Sequence, residues 1–218
     1  MTSLAPRAVI FDCDGVVVDS EPIAFDLLAA DLALRGFVMD RALMERELLG
    51  GTMLAVYHRA LALGADLPDD WVDLFYDKLY TRLAQGTPLI PGIMALLDRL
   101  DAAGIPYAMG SNGSPQKMEI TLGQYPDLRA RFDGRMFSGQ VMGKPKPAPD
   151  LYLHAAASLR SPPETCVVIE DSPTGARAAR AAGMRCYGYA PHPNPALAAE
   201  GAVLFTRMAD LPNLLGLT

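Results

Sequence analysis

Two aspartates, Asp12 and Asp14, close the apolar run Ala8-Val9-Ile10-Phe11. Carboxylates delivered by a buried strand have an obvious chemical use. An aspartate can attack as a covalent nucleophile, and a second acid can carry the proton that the reaction moves. The same residues also read as plain architecture, because Asp14-Gly15 is a strong turn signal and the stretch could be a strand with a hairpin turn. Taken alone, the stretch leaves both readings open. Three later stretches bear on the choice: Gly110-Ser111-Asn112-Gly113, then Gly143-Lys144-Pro145-Lys146-Pro147-Ala148-Pro149-Asp150, then Glu170-Asp171. Carboxylates, a serine, an asparagine and a lysine gathered in one place suit phosphoryl transfer. Carboxylates alone would repel a phosphate dianion, which implies a hard cation such as Mg²⁺ between them. Ser111 and the N–H groups of its glycine-flanked turn can bind phosphate oxygens, and a lysine supplies the remaining positive charge.

Those residues need elements that bring them together. After the first strand, residues 22–86 lose their β-branched runs and turn helical in pattern. Residues 21–34 carry Ile23, Leu27, Leu28 and Leu32 at helical spacing. Residues 52–63 form a second helical stretch ended by Gly64, and residues 69–84 a third, with Trp71, Phe75, Leu79 and Leu83 as a packing stripe. From Pro88 strand and helix alternate. Strands are expected at 105–109, 135–138, 165–169, 185–190 and 202–205. Helices are expected at 91–103, from Ser114-Pro115, at 149–159 and at 172–182, with 191–195 a rigid loop. Alternation of this kind predicts right-handed βαβ units and a mostly parallel sheet. In such a sheet ligands bind beyond the carboxyl ends of the strands, which is where the four polar stretches fall.

Composition narrows the partners. The chain has 218 residues, half of them hydrophobic, and a formal net charge of -6. Its lysines are Lys78, Lys117, Lys144 and Lys146, and arginine forms no dense cluster, so a nucleic-acid partner is not expected. No apolar run approaches the ~20 residues of a membrane span, and the first seven residues read as no signal peptide. Cys13, Cys166 and Cys186 lie in or beside apolar runs without CxxC spacing. They read as buried thiols of a cytoplasmic protein, with neither a disulfide framework nor a cysteine metal site.

The motifs resemble a known family. Asp12-x-Asp14-Gly15-Val16-x-x-Asp19-Ser20-Glu21, Ser111-Asn112-Gly113, Lys146-Pro147-Ala148-Pro149-Asp150 and Glu170-Asp171-Ser172-Pro173-x-Gly175 are similar, in order, to the four motifs of the haloacid dehalogenase-like phosphohydrolases. The subgroup is that of β-phosphoglucomutase and small sugar phosphatases. The continuation to Lys117-Met118 resembles bacterial 6-phosphogluconate phosphatases. The resemblance implies an α/β fold: a Rossmann-like parallel-sheet core, residues 1–19 and 86–218, with an inserted α-helical cap, residues 20–85. It implies that Asp12 is the nucleophile, and that Asp14 protonates the leaving group and then activates water. Ser111 and Lys146 would hold the phosphoryl group, with Asn112 and Gly15 beside them. Asp12, the Asp14 carbonyl, Asp171 and Glu170 would make the Mg²⁺ site. The cap would close over the site and select a small phosphorylated metabolite, in a monomer or weak homodimer.

Lys144 competes with Lys146 for the phosphate, and the Lys-Pro-x-Pro-Asp spacing favours Lys146. His58, His154 and His192 fall outside every motif. Glu21 suits either a hinge to the cap or the acidic first turn of a helix. Relatives with mutase activity carry a histidine where Ala24 stands, and cations in the cap loop matching Leu48-Leu49-Gly50-Gly51-Thr52-Met53, which has none. A mutase must grip a second phosphate, so the expectation is a phosphatase. The alternatives are a β-phosphoglucomutase-like phosphosugar mutase and a non-catalytic binding protein on the same fold.

Overall fold

The computed structural model describes residues 5–48 and 52–217. The chain divides into two compact units, Met1–Asp19 with Pro88–Thr218, and Ser20–Thr87. The larger unit is built on six parallel strands: β1 Ala8–Phe11, β2 Tyr107–Ser111, β3 Met136–Ser138, β4 Cys166–Glu170, β5 Arg185–Tyr189 and β6 Val203–Phe205. Their order is β3-β2-β1-β4-β5-β6, and every adjacent pair runs parallel. The helices, in chain order, are α1 Glu21–Leu34, α2 Arg41–Leu48, α3 Met53–Ala62, α4 Trp71–Ala84, α5 Ile93–Ala102, α6 Pro115–Leu122, α7 Pro126–Arg131, α8 Asp150–Ser158, α9 Pro173–Ala181, α10 Pro195–Ala199 and α11 Leu211–Leu214.

β1 is the central strand and is buried on both faces. Val9 and Phe11 join the core that includes α5, α6 and α11, whereas Ala8 and Ile10 join the core of α8 and α9. A strand covered on both sides must be apolar at every position, and Ala-Val-Ile-Phe meets that demand. The chain leaves β1 for β2 and β3 on one side and returns for β4 to β6 on the other. The reversal at β1 opens a crevice at its carboxyl end.

The hairpin reading of Asp14-Gly15 does not hold. Both neighbours of β1 are parallel strands, and the one antiparallel bridge after the turn among the described residues, Val18 with Leu89, does not involve β1. Residues 13–18 instead fold on themselves, with Gly15 N–H donating to the Val18 carbonyl at 2.9 Å and Val17 and Val18 N–H donating to the Cys13 carbonyl.

The smaller unit contains α1 to α4. The stripe Trp71, Phe75, Leu79 and Leu83 is buried, as its spacing predicts. A polar group lies among these apolar side chains: Asp31 on α1 accepts from the Trp71 indole N–H at 2.7 Å, from Lys78 Nζ at 2.5 Å and from Arg35 Nε at 3.2 Å. Burial works to raise the Asp31 carboxyl, but the donors Lys78, Trp71 and Arg35 outweigh it and hold it below its ordinary 3.8. A carboxyl depressed on folding stabilises the folded state above its unfolded value and loses that contribution as the pH falls through its folded value. Wild type should therefore exceed Asp31→Ala in stability at neutral pH, by about 1–3 kcal/mol for the lost buried network. The gap should shrink as the pH drops below 3.8. Urea unfolding of both proteins over a pH series measures this.

α2 and the short helices α7, α10 and α11 were not expected from the sequence pattern. Ser20 begins the smaller unit, one residue before α1. Three residues of the cap loop without cations, 49–51, lie outside the described residues. Among the described residues no helix is long and apolar enough to cross a membrane. All three cysteines are buried and free.

Candidate active site

Asp12 follows the last residue of β1, Ser111 ends β2, and Glu170 ends β4 with Asp171 next. Three adjacent parallel strands thus deliver four of the expected residues to one sheet edge. Lys146 comes from the loop before α8. Its Nζ lies 2.5 Å from Asp12 Oδ1 and 2.7 Å from Glu170 Oε1, and its side chain is 4% exposed. Lys144 points elsewhere: its Nζ pairs with Asp150 Oδ1 at 2.5 Å on the exposed surface. Asn112 fixes the Lys146 backbone, accepting from Lys146 N–H at 2.8 Å and donating to the Lys146 carbonyl at 3.2 Å. That pair of bonds spans 34 residues and holds the lysine loop against the end of β2. Ser111 Oγ accepts from Gly113 N–H at 2.9 Å, which tightens the turn after β2.

Glu170 is fully engaged. Oε1 accepts from Lys146 and from the Tyr152 hydroxyl at 2.8 Å. Oε2 accepts from the N–H of Asp171 at 2.9 Å, and from the N–H and hydroxyl of Ser172, each at 2.8 Å. Ser172 Oγ in turn caps α9 by accepting from Gly175 N–H at 3.1 Å. Gly175 is required by this packing, since a Cβ there would sit 1.6 Å from Glu170 Oε1. Burial works against the Glu170 carboxylate, but Lys146 and the Ser172 donors outweigh it and hold it below the usual range.

Gly15, expected beside the phosphoryl group, has its N–H committed to Val18. Glycine is needed there for a different reason. Its φ is +73°, and a Cβ would lie 2.0 Å from Asp171 Oδ2, so the Asp171 carboxylate rests directly on the Gly15 backbone.

Asp12, Glu170 and Asp171 each offer a carboxylate oxygen, and these atoms lie within 4.8 Å of one another. An all-oxygen donor set of this kind fits a hard cation such as Mg²⁺. Both Glu170 oxygens accept hydrogen bonds, and Asp12 Oδ1 accepts from Lys146. Burial pushes the Asp12 carboxyl up, Lys146 pulls it down, and Glu170 and Asp14 push it up again, to about 7. Asp14 Oδ1 lies 2.7 Å from Lys117 Nζ.

Three residues of this network have no catalytic or binding role in the sequence reading: Lys117, which stands there only in the continuation of the second motif, Ser172, which stands there only in the fourth motif at the start of a helix, and Tyr152, which is not singled out. Tyr152 gives the clearest missed signal. It lies on the buried face of α8, and a buried tyrosine hydroxyl needs an acceptor. Its ring also carries Lys146 Nζ at 4.9 Å from the centroid. Tyr152→Phe should cost about 1–2 kcal/mol, because Glu170 Oε1 loses one of two donors. A lower urea midpoint with unchanged m would register the loss.

The His154 ring packs edge-on against Phe137, and His58 lies beside Tyr57.

The model for haloacid dehalogenase-like hydrolases matches residues 6–183. The chain belongs to that family. Within it the chain falls among the phosphatases. The 6-phosphogluconate phosphatase of Escherichia coli K12 is 30% identical over 211 residues, covering 95% of this chain and 94% of that protein. The phosphorylated carbohydrates phosphatase of Thermotoga maritima is 29% identical over 219 residues, covering 96% and 98%. A crystal structure of a family hydrolase from Deinococcus radiodurans, with bound phosphate and sodium, superposes with a TM-score of 0.83 at 34% identity, covering 100% of this chain and 98% of that one.

Proposed function

We propose that this enzyme is a Mg²⁺-dependent phosphatase that hydrolyses a small sugar or sugar-acid phosphate in two displacements at Asp12. The observation that carries the reading is the buried Asp12 carboxylate, 2.5 Å from Lys146 at the end of β1. One Asp12 oxygen attacks phosphorus, and the bond from phosphorus to the ester oxygen breaks. Asp14 gives that oxygen its proton. Water then attacks the phosphorus of phospho-Asp12, Asp14 takes the proton released, and the Asp12 carboxylate is restored. Lys146 and Ser111 hold the non-bridging phosphoryl oxygens. Glu170, Asn112 and Tyr152 hold Lys146. Asp12, Asp171, Glu170 and the Asp14 carbonyl would hold a divalent cation, which would supply positive charge that keeps these carboxylates ionised and offsets charge on the phosphoryl oxygens. The helical unit Ser20–Thr87 is assigned substrate selection.

Relatives named as phosphatases of 6-phosphogluconate and of phosphorylated carbohydrates support this substrate class. The test is phosphate release across hexose phosphates, sugar-acid phosphates and phosphoglycolate, with Mg²⁺ and with chelator. Mg²⁺-dependent release supports the reading. Isomerised sugar phosphate without free phosphate would instead mark a mutase, and no turnover at all a binding protein.

A further inference from the structure

Asp14 is asked to carry a proton, yet it stands on a turn rather than inside the strand. A general acid works only within hydrogen-bond reach of the oxygen it protonates. Something must therefore hold its carboxyl in place. Lys117 Nζ lies 2.7 Å from Asp14 Oδ1, with the lysine side chain 18% exposed. The lysine is itself anchored: its N–H donates to Ser114 Oγ at 3.1 Å, the cap of α6. A Cβ built on Gly113 would meet Ser111 Oγ at 3.2 Å, Asp14 Oδ2 at 3.6 Å and Lys117 Cδ at 3.7 Å. The second Asp14 oxygen, the Ser111 hydroxyl and the lysine stem therefore converge over one glycine of the turn after β2.

We propose that Lys117 is a positioning residue for Asp14. It holds Oδ1 and thereby turns Oδ2 toward the Ser111-Asn112-Gly113 turn, where the ester oxygen departs. The proposal rests on the phosphatase reading and on Asp14 as the acid. It differs from an ordinary surface ion pair, which contributes ~0–1 kcal/mol to stability and nothing specific to proton transfer. A misplacement of about 1 Å can cost ~10²-fold in rate. Proton delivery matters most for an alkyl phosphate, whose leaving alkoxide is strongly basic. It matters little for p-nitrophenyl phosphate, whose leaving anion is stabilised.

The test compares kcat and KM of wild type, Lys117→Met, Lys117→Arg, Asp14→Asn and the double variant, on p-nitrophenyl phosphate and on the best alkyl phosphate. Lys117→Met should lose at least ~10-fold more kcat on the alkyl ester than on the aryl ester, within the ~10²–10⁴-fold scale of general acid catalysis. Lys117→Arg should recover part of that difference. The double variant should be no slower than Asp14→Asn, because residues that act as one unit are not additive. Equal losses on both esters, a rise in KM alone, or additive losses in the double variant would overturn the proposal. Should Lys117→Met fail to fold, the ester ratio of Lys117→Arg and the comparison with Lys117→Gln decide. If wild type releases phosphate from neither ester, the phosphatase reading fails and this proposal with it.

Discussion

Asp12→Asn should abolish phosphate release, by more than about 10⁴-fold in kcat, while leaving the fold intact. Asp12 is flanked by two covered strands, and its backbone N–H donates to the Ile169 carbonyl at 2.9 Å. The side chain is thus held by the central strand and by Lys146, not by a mobile loop. Asparagine is nearly isosteric and can still accept from Lys146, so the larger unit keeps its geometry. It cannot act as an anionic nucleophile. The variant should also lose affinity for Mg²⁺, because one of three clustered carboxylates becomes neutral. Phosphate release and titration with Mg²⁺, each on clean protein of unchanged melting temperature, separate the two effects.

Lys146→Met should damage both activity and stability. Removing this ammonium leaves Asp12 and Glu170 buried without the cation that both contact. Breaking a buried ion pair by removing one partner costs about 3–5 kcal/mol, far more than losing a surface pair. The loss should depend on pH. Without the cation the two carboxyls resist ionisation in the folded state, so their folded pKa values lie above the unfolded ones. Stability from such groups is present at low pH and lost as the pH rises through the folded values. The deficit against wild type should therefore be largest near neutral pH and smaller in mild acid. Lys144→Met is the control: Lys144 is 62% exposed, paired with Asp150, and should change stability by less than about 1 kcal/mol.

Much of this site was legible in the sequence because strand ends are easy to read. Apolar runs such as residues 8–11 and 166–169 have to be buried, and the polar residues that terminate them have to emerge at one edge. The Lys-Pro-x-Pro-Asp spacing likewise separated Lys146 from Lys144. What the sequence hid was mostly cooperation between distant residues. Asn112 reads as a phosphate-side residue in its motif, but its amide is bonded to the Lys146 backbone 34 positions away. Glu170 reads as a ligand, but the donors that occupy it come from the lysine loop, α8 and the cap of α9. Gly15 is explained by its φ of +73° and by Asp171 lying against it. The missed helices have a different cause. α2 buries only Met44 and Leu48, too few to set a period, and α10 has five residues, little more than one turn.

The proposed mechanism passes the phosphoryl group through a covalent bond to Asp12. Its most direct test is a single turnover with phosphoryl-labelled substrate and Mg²⁺, quenched in acid at short times and mapped by peptide mass. Labelled phosphate is expected on the peptide that carries Asp12, rising before free phosphate, and absent in Asp12→Asn. Release of free phosphate with the protein unlabelled at every quench time would contradict it.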